Sequence, residues 1–115
     1  MTESIIQRKS FAFALQIVDL YRRLQEQREF VVSKQLLRCG TSIGANVEEA
    51  PAGQSRRDFL SKMTIASKEA RETRYWLRLL QESNLAQIDA NSELAAIDEL
   101  IRILTSIVKT TSQTK

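Results

Sequence analysis

Apolar residues recur at three- and four-residue intervals in four stretches of the chain, and the pattern predicts four helices at about 4–27, 33–50, 55–83 and 90–110. In the first, Ile6, Phe13, Ile17, Leu20 and Leu24 fall on one face. A second set, Phe11, Ala14, Leu15, Val18 and Tyr21, lies beside them. At about 100° per residue the two sets together cover roughly 220° of the helix surface. A surface helix needs an apolar arc of only about 100°. The excess predicts burial on two sides, by its own bundle and by a second subunit, with Phe11, Leu15 and Val18 as candidate interface residues.

The second stretch carries the stripe Leu36, Gly40, Ile43, Val47 and Ala50, with Ser33 as its expected N-cap and Ala50-Pro51 as its end. Gly40 and Gly44 lie four apart on one face. Two interior glycines cost roughly 1 kcal/mol each relative to alanine, which close approach of a neighbouring helix would offset. Pro51-Ala-Gly53 is the clearest break, and Ser55-Arg-Arg-Asp58 reads as a capping-box-like start with aspartate in place of glutamate. The third seam is Phe59, Met63, Ala66, Ala70, Thr73, Leu77 and Leu80. After a connection at 84–89, the fourth helix presents Leu94, Ile97, Ile101, Leu104 and Val108, with Leu100, Ile103 and Ile107 alongside. Thr110 to Lys115 is polar and is expected to fray. Long helices with short connections predict an all-α, antiparallel up-down-up-down four-helix bundle.

Composition agrees with this and narrows the function. The 115 residues suit one domain, 1–115, and three glycines with one proline leave little turn-forming material for a β-fold. The opening residues lack a basic start followed by an apolar run, so no secretory leader is expected. No apolar run approaches the ~20 residues of a membrane span. Cys39 is the single cysteine, set among Leu36, Leu37 and Ile43, and reads as a small buried residue. A cytoplasmic protein with no membrane partner is expected. The net charge is +3, unevenly placed: residues 56–78 hold seven Lys/Arg against three acids, and residues 82–99 hold five acids and no base.

The chain has no histidine, which removes His-based triads, Cys-His dyads and imidazole metal ligands. Glu69 and Glu72 lie three apart and could face one metal or share a proton, but pairing with Arg or Lys is the simpler reading of them, as of Glu48-Glu49. There is no glycine-rich phosphate loop. An enzyme, a cofactor, a metal and a small-molecule substrate are therefore not expected. On the third helix, Arg57, Lys68, Arg71, Arg74 and Arg78 all project from one flank, within an arc of roughly 120° that begins at Lys68. They form a basic stripe at most about 40 Å long, readable either as a solvated face or as a phosphate-backbone contact. On the other flank Ile65, Trp76 and Leu79 make an apolar shoulder, which suits either core or subunit interface. Ser42, Asn46 and Thr73 lie on or near the seams and read as a structural polar set.

Two segments also resemble a known family. Leu37-Arg-Cys-Gly-Thr-Ser-Ile-Gly-Ala-Asn-Val-Glu-Glu-Ala50 is similar to the helix-two motif of the bacterial four-helix-bundle proteins, the 23S rRNA intervening-sequence protein family. Asp58-Phe-Leu-Ser-Lys62 and Ile65-Ala-Ser-Lys-Glu-Ala-Arg-Glu-Thr-Arg-Tyr-Trp-Leu77 resemble its helix-three motif. The likeness spans roughly residues 8–108; Cys39 stands where serine is more usual, and Pro51 is unexpected after Ala50. The resemblance implies a bundle that assembles into a ring, commonly a homopentamer, with no enzymatic activity. It extends to the accessory variability proteins of diversity-generating retroelements, basic pentamers that engage a reverse transcriptase and nucleic acid. It implicates Gly40, Ser42, Asn46, Glu48, Glu69, Glu72, Thr73 and Trp76 in the family's structure, without making them a binding site.

The leading expectation is an oligomeric scaffold or adaptor that contacts RNA or a ribonucleoprotein through Arg57, Lys68, Arg71, Arg74 and Arg78. The alternative is a protein–protein assembly module whose charges only provide solubility. A third is a small-molecule or metal-binding bundle built on Glu69 and Glu72.

Overall fold

Ser4 starts the first helix through a reciprocal cap: its hydroxyl accepts the Gln7 N–H at 3.2 Å, and Gln7 Oε1 accepts the Ser4 N–H at 2.9 Å. The structure, a computed structural model, describes residues 3–113. Among them the chain forms four α-helices and no strand: α1 (Ile5–Glu26), α2 (Val32–Glu49), α3 (Arg56–Ser83) and α4 (Asn91–Gln113), with a 3₁₀ turn at Ala50–Ala52. They pack into a body of 48 × 24 × 21 Å, its long dimension close to the roughly 42 Å of a 28-residue helix.

One continuous core joins Phe13, Ile17, Leu20 and Leu24 of α1 with Leu36, Ile43 and Val47 of α2, Met63, Ala66, Ala70, Leu77 and Leu80 of α3, and Ile97, Leu100 and Leu104 of α4. Gly40 and Gly44 lie where α2 is packed tightly against α1. A Cβ at Gly40 would lie 3.0 Å from two side-chain carbons of Ile17, and one at Gly44 would lie 3.4 Å from the Ser10 carbonyl oxygen. Ser42, half-buried, accepts the Asn46 side-chain amide at 3.2 Å, and the same amide donates to the Ser42 carbonyl at 2.9 Å. Thr73 is buried and returns its hydroxyl to the Glu69 carbonyl at 2.7 Å. Cys39 is buried as expected, and burial pushes its thiol up from the ordinary range.

Three local features differ from the sequence expectation. Ser33 is not the N-cap of α2, which begins at Val32. The N-cap position is Val31, and the capping group is the carboxylate of Glu29, which accepts the N–H groups of Val31, Val32 and Ser33 at 3.0, 2.9 and 2.7 Å. Arg28 makes this possible by taking a left-handed φ of 63°, and Ser33 lies buried with its hydroxyl donating to the Glu29 carbonyl at 2.8 Å. The inward face of α4 is rotated: Glu93, Ile97, Leu100 and Leu104 are buried, whereas Leu94, Ile101 and Val108 are half-buried. Glu93 is drawn in by Arg23, 3.2 Å from its Oε2. Finally, α4 continues through Thr110 to Gln113; Thr114 and Lys115 lie outside the described residues.

The start of α3 keeps half of its expected box. Ser55 Oγ accepts the Asp58 N–H at 3.1 Å, but Asp58 reaches back to the Gln54 N–H, at 3.0 Å, one residue earlier than the motif requires. Gly53 permits this, since a Cβ there would stand 2.7 Å from Asp58 Cβ. The loops before α2 and before α4 are joined by Gln27, whose side-chain amide donates to the Gln87 carbonyl at 2.9 Å and accepts the Gln87 N–H at 2.7 Å.

Glu29→Ala strips three N–H groups of their acceptor at once. It is expected to lower unfolding free energy by about 2 kcal/mol in urea titrations, with Glu29→Gln, which keeps one acceptor oxygen, losing less.

Candidate nucleic-acid interface

The basic stripe predicted on α3 divides into engaged and unengaged cations. Arg74 Nε lies 2.7 Å from Asp98 Oδ1 of α4, and Arg78 Nε lies 3.1 Å from Glu82 one turn along its own helix. Arg71 donates to the Thr105 hydroxyl at 3.3 Å but has no carboxylate partner. Lys68 and Arg57 are exposed on the same outward flank and border a shallow depression with Ser61 and Thr64. The helix pairing also brings in Arg102 of α4, which the sequence reading did not single out. Arg71, Arg74, Asp98, Ile101 and Arg102 surround a cleft of about 380 Å³. Among the described residues, Arg57, Lys68, Arg71 and Arg102 are the cations of this face with no carboxylate in ion-pair range. Arg102 sits four residues after Asp98 and so on the same helical face; only the α3–α4 pairing shows that this face is the one beside Arg71.

The acidic stretch 82–99 does not form a matching negative surface. Glu82 pairs with Arg78, Glu93 with Arg23, Asp98 with Arg74, and Glu99 with Lys9 at 3.1 Å. Asp89 accepts the Asn91 N–H at 2.9 Å. The charge asymmetry of the sequence is thus taken up largely within the chain, in fastening α4 to α1 and α3.

The carboxylates of the α3 motif meet a partner that sequence inspection did not name. Arg38 of α2 reaches Glu69 at 3.8 Å and is hydrogen-bonded to Glu72. Glu72 also accepts the Trp76 indole N–H at 3.0 Å. That indole bond first, and then the Arg38 guanidinium, hold the Glu72 carboxyl below the usual range against the opposing pull of partial burial. Glu49 pairs with Lys62 at 2.8 Å, while Glu48 is exposed. Among the described residues no group of three or more Cys, Asp and Glu side chains is placed to hold a metal.

The apolar candidates fall on two surfaces. Phe11 and Leu15 of α1 are 64% and 58% exposed, and Val18 is half-buried. Phe11 and Ala14 border a groove of about 530 Å³ with Thr41, Gly44, Ala45 and Glu48 of α2. On α3, Ile65 and Leu79 are partly exposed, whereas Trp76 is half-buried and packs against the core. Its neighbour Tyr75 is 60% exposed and meets it edge to face, with ring centroids 5.2 Å apart. A further cavity, about 440 Å³, lies where all four helices end and is lined by Ile6, Val47, Phe59, Met63 and Ile107 with Ser and Thr hydroxyls at its rim.

Residues 2–106 match the family model described as 23S rRNA-intervening sequence protein. Among solved structures, the chain is similar to a crystal structure of a protein with unknown function from the S23 ribosomal protein family of Bacteroides thetaiotaomicron. The two share 48% sequence identity with a TM-score of 0.86, over 91% of this chain and 99% of that chain. No curated protein gives a significant match.

The depressed Glu72 acidity fixes a pH dependence. The carboxylate's contribution to stability is present above its unfolded pKa of about 4.3 and is lost as pH falls through the lower, folded value. Wild type and Glu72→Gln should therefore differ by a constant amount in thermal melts above about pH 5, and the difference should shrink steadily as the pH is lowered from there. A difference that grows on acidification would show that the shift has the opposite sign.

Proposed function

The chain belongs to the 23S rRNA-intervening sequence protein family, and from that premise we propose that it is a non-enzymatic, oligomeric scaffold or adaptor that contacts RNA or a ribonucleoprotein through the α3–α4 face. The observation that carries this reading is the set of uncompensated cations Arg57, Lys68, Arg71 and Arg102. Four positive groups along one face, with the nearby acids already engaged, attract a phosphate backbone by charge and counterion release. We take a ribonucleoprotein as the partner on what the motif resemblance in the sequence implies, a relation to the accessory variability proteins. A non-catalytic role is supported by the cavity at the helix ends, whose lining carries no charged side chain, and by Arg38 engaging Glu69 and Glu72.

The arrangement we propose is an antiparallel up-down-up-down bundle, supported by the pairs Ile17–Gly40 and Ser10–Gly44, Arg38–Glu69 and Glu49–Lys62, and Arg71–Thr105 and Arg74–Asp98. Its assembly into a ring, a homopentamer by family resemblance, suits two unlike apolar surfaces on different helices, since a closed ring needs a heterologous contact. Phe11, Leu15 and Val18 supply one surface, and Ile65, Trp76 and Leu79 the other. We place the protein in the cytoplasm: Cys39 is a buried free thiol, and no helix among the described residues is long and apolar enough to cross a membrane.

Reversing charge at Lys68, Arg71 and Arg102 together should weaken binding of labelled RNA at least tenfold at about 50 mM salt, with the mass by light scattering unchanged. Arg74 and Arg78 are poor choices for this test because both already hold carboxylates. Wild-type binding should also fall steeply with salt; equal affinity of the two proteins sinks the assignment. The exposure of Phe11 and Leu15 favours a second reading, an assembly module that binds no nucleic acid. Phe11→Asp with Leu15→Asp should reduce the particle to a monomer, and an unchanged mass excludes this surface as the interface.

A further inference from the structure

We propose that Tyr75 is a stacking platform that makes the basic face selective for single-stranded nucleic acid, with an unpaired base on its ring and the neighbouring phosphates held by Arg71 and Arg102. This rests on the nucleic-acid reading above and adds the form of the ligand. Tyr75 belongs to the outward flank of α3: it follows Arg71 by four residues and precedes Arg78 by three, so all three side chains are neighbours on the helix surface. Tyr75 is 60% exposed and buries little in its own fold, bordering a shallow depression with Arg78, Leu79 and Glu82.

The ring is also held in place. Tyr75 contacts Trp76 with an interplanar angle of 77°, and an edge-to-face contact leaves at least one face of the Tyr75 ring clear of the indole. Trp76 is fixed by its bond to Glu72, and Glu72 by Arg38. A pre-positioned aromatic face costs less to order on binding than a mobile one. The charges give the platform a direction. Beyond Tyr75, Arg78 is neutralised by Glu82. Before it lie Arg71, Lys68 and Arg57, with Arg102 across the cleft. From Arg57 to Tyr75 the helix rises about 27 Å, room for a short run of nucleotides.

Stacking also separates ligand forms. Bases in a duplex already stack on one another and are not free to cover a side-chain ring, whereas those of a single strand are. Phosphate contacts by Arg71 and Arg102 serve either form.

The test is fluorescence anisotropy on the intact chain with a labelled 12-residue oligouridine, the matching oligothymidine, and a blunt RNA duplex of 12 base pairs. Wild type should bind both single strands at least fivefold more tightly than the duplex, because neither stacking nor phosphate contact reads the 2′-hydroxyl. Tyr75→Ala should weaken single-strand binding by roughly 5- to 100-fold and leave duplex binding within twofold, with Tyr75→Phe restoring it. Arg71→Ala with Arg102→Ala should weaken all three probes and lower the salt slope by about 2. Binding that needs Arg71 and Arg102 but ignores Tyr75 overturns the platform alone; no binding of any probe by wild type at about 50 mM salt overturns the nucleic-acid reading beneath it. A Tyr75→Ala protein of altered mass, loss that is equal for duplex and single strands, or failure to bind the DNA strand also overturns the platform.

Discussion

The bundle depends on the side chain that Gly40 lacks. Ile17 occupies that space, with two of its side-chain carbons 3.0 Å from where a Cβ would stand, and it is fully buried there. Gly44, one turn further along α2, lets the same approach continue onto the Ser10 carbonyl. A glycine inside a helix costs roughly 1 kcal/mol in propensity, and burying a residue the size of isoleucine contributes about 1.5–3 kcal/mol. The exchange favours a close α1–α2 pair. It also seats α1 on the stripe of Ile6, Phe13, Ile17, Leu20 and Leu24, which leaves Phe11 and Leu15 facing outward. The wide apolar arc of α1 and the small residues of α2 are therefore two sides of one constraint.

The fourth helix is joined by a different logic. Its apolar residues meet the core at Ile97, Leu100 and Leu104, while its acids reach sideways: Glu93 and Glu99 to Arg23 and Lys9 of α1, and Asp98 to Arg74 of α3. The part-exposed pairs of Glu99 and Asp98 contribute about 0–1 kcal/mol each, so they steer α4 more than they hold it, whereas Glu93 is buried and depends on Arg23 for its partner. Their larger consequence is electrostatic. By engaging Arg74, Asp98 removes one member of the α3 stripe, and the same turn of α4 adds Arg102 to the face that is left.

How much of this could be read from the chain depended on whether a residue's role was local. The seams of α1 and α3 were legible because helical period alone fixes which residues share a face, and Phe13, Ile17, Met63, Ala70 and Leu77 are all buried. The Gly40–Gly44 contact was legible for the same reason. The start of α2 was not: Glu29 lies outside the helix, and its carboxylate reaches three N–H groups only because Arg28 turns left-handed. Ser33, the residue type expected to cap, was displaced by a longer acid. The face of α4 was misjudged because an apolar list omits Glu93, yet Arg23 makes its burial tolerable. Arg38 and Arg102 escaped notice because each acquires its role from a neighbouring helix, and pairing is information that periodicity does not carry.

The boundary between the two candidate surfaces of α3 runs between Tyr75 and Trp76, which successive steps of about 100° send to different flanks. Trp76 turns toward the core with its N–H on Glu72, and Tyr75 turns toward solvent among the arginines. A subunit contact centred on Ile65 and Leu79 would place Tyr75 at its rim, where interfaces are polar and open to solvent. In the proposed function, assembly and ligand binding would then reinforce one another. One subunit offers four uncompensated cations, too few for tight binding of a polyanion at cellular salt; in the proposed ring the same face would be repeated and would engage one strand at several points, each further contact being intramolecular. On the proposed reading the exposed apolar residues of α1 and the unpaired cations of α3 and α4 would serve a single design, in which oligomerisation would make a weakly basic helix face into a binding surface.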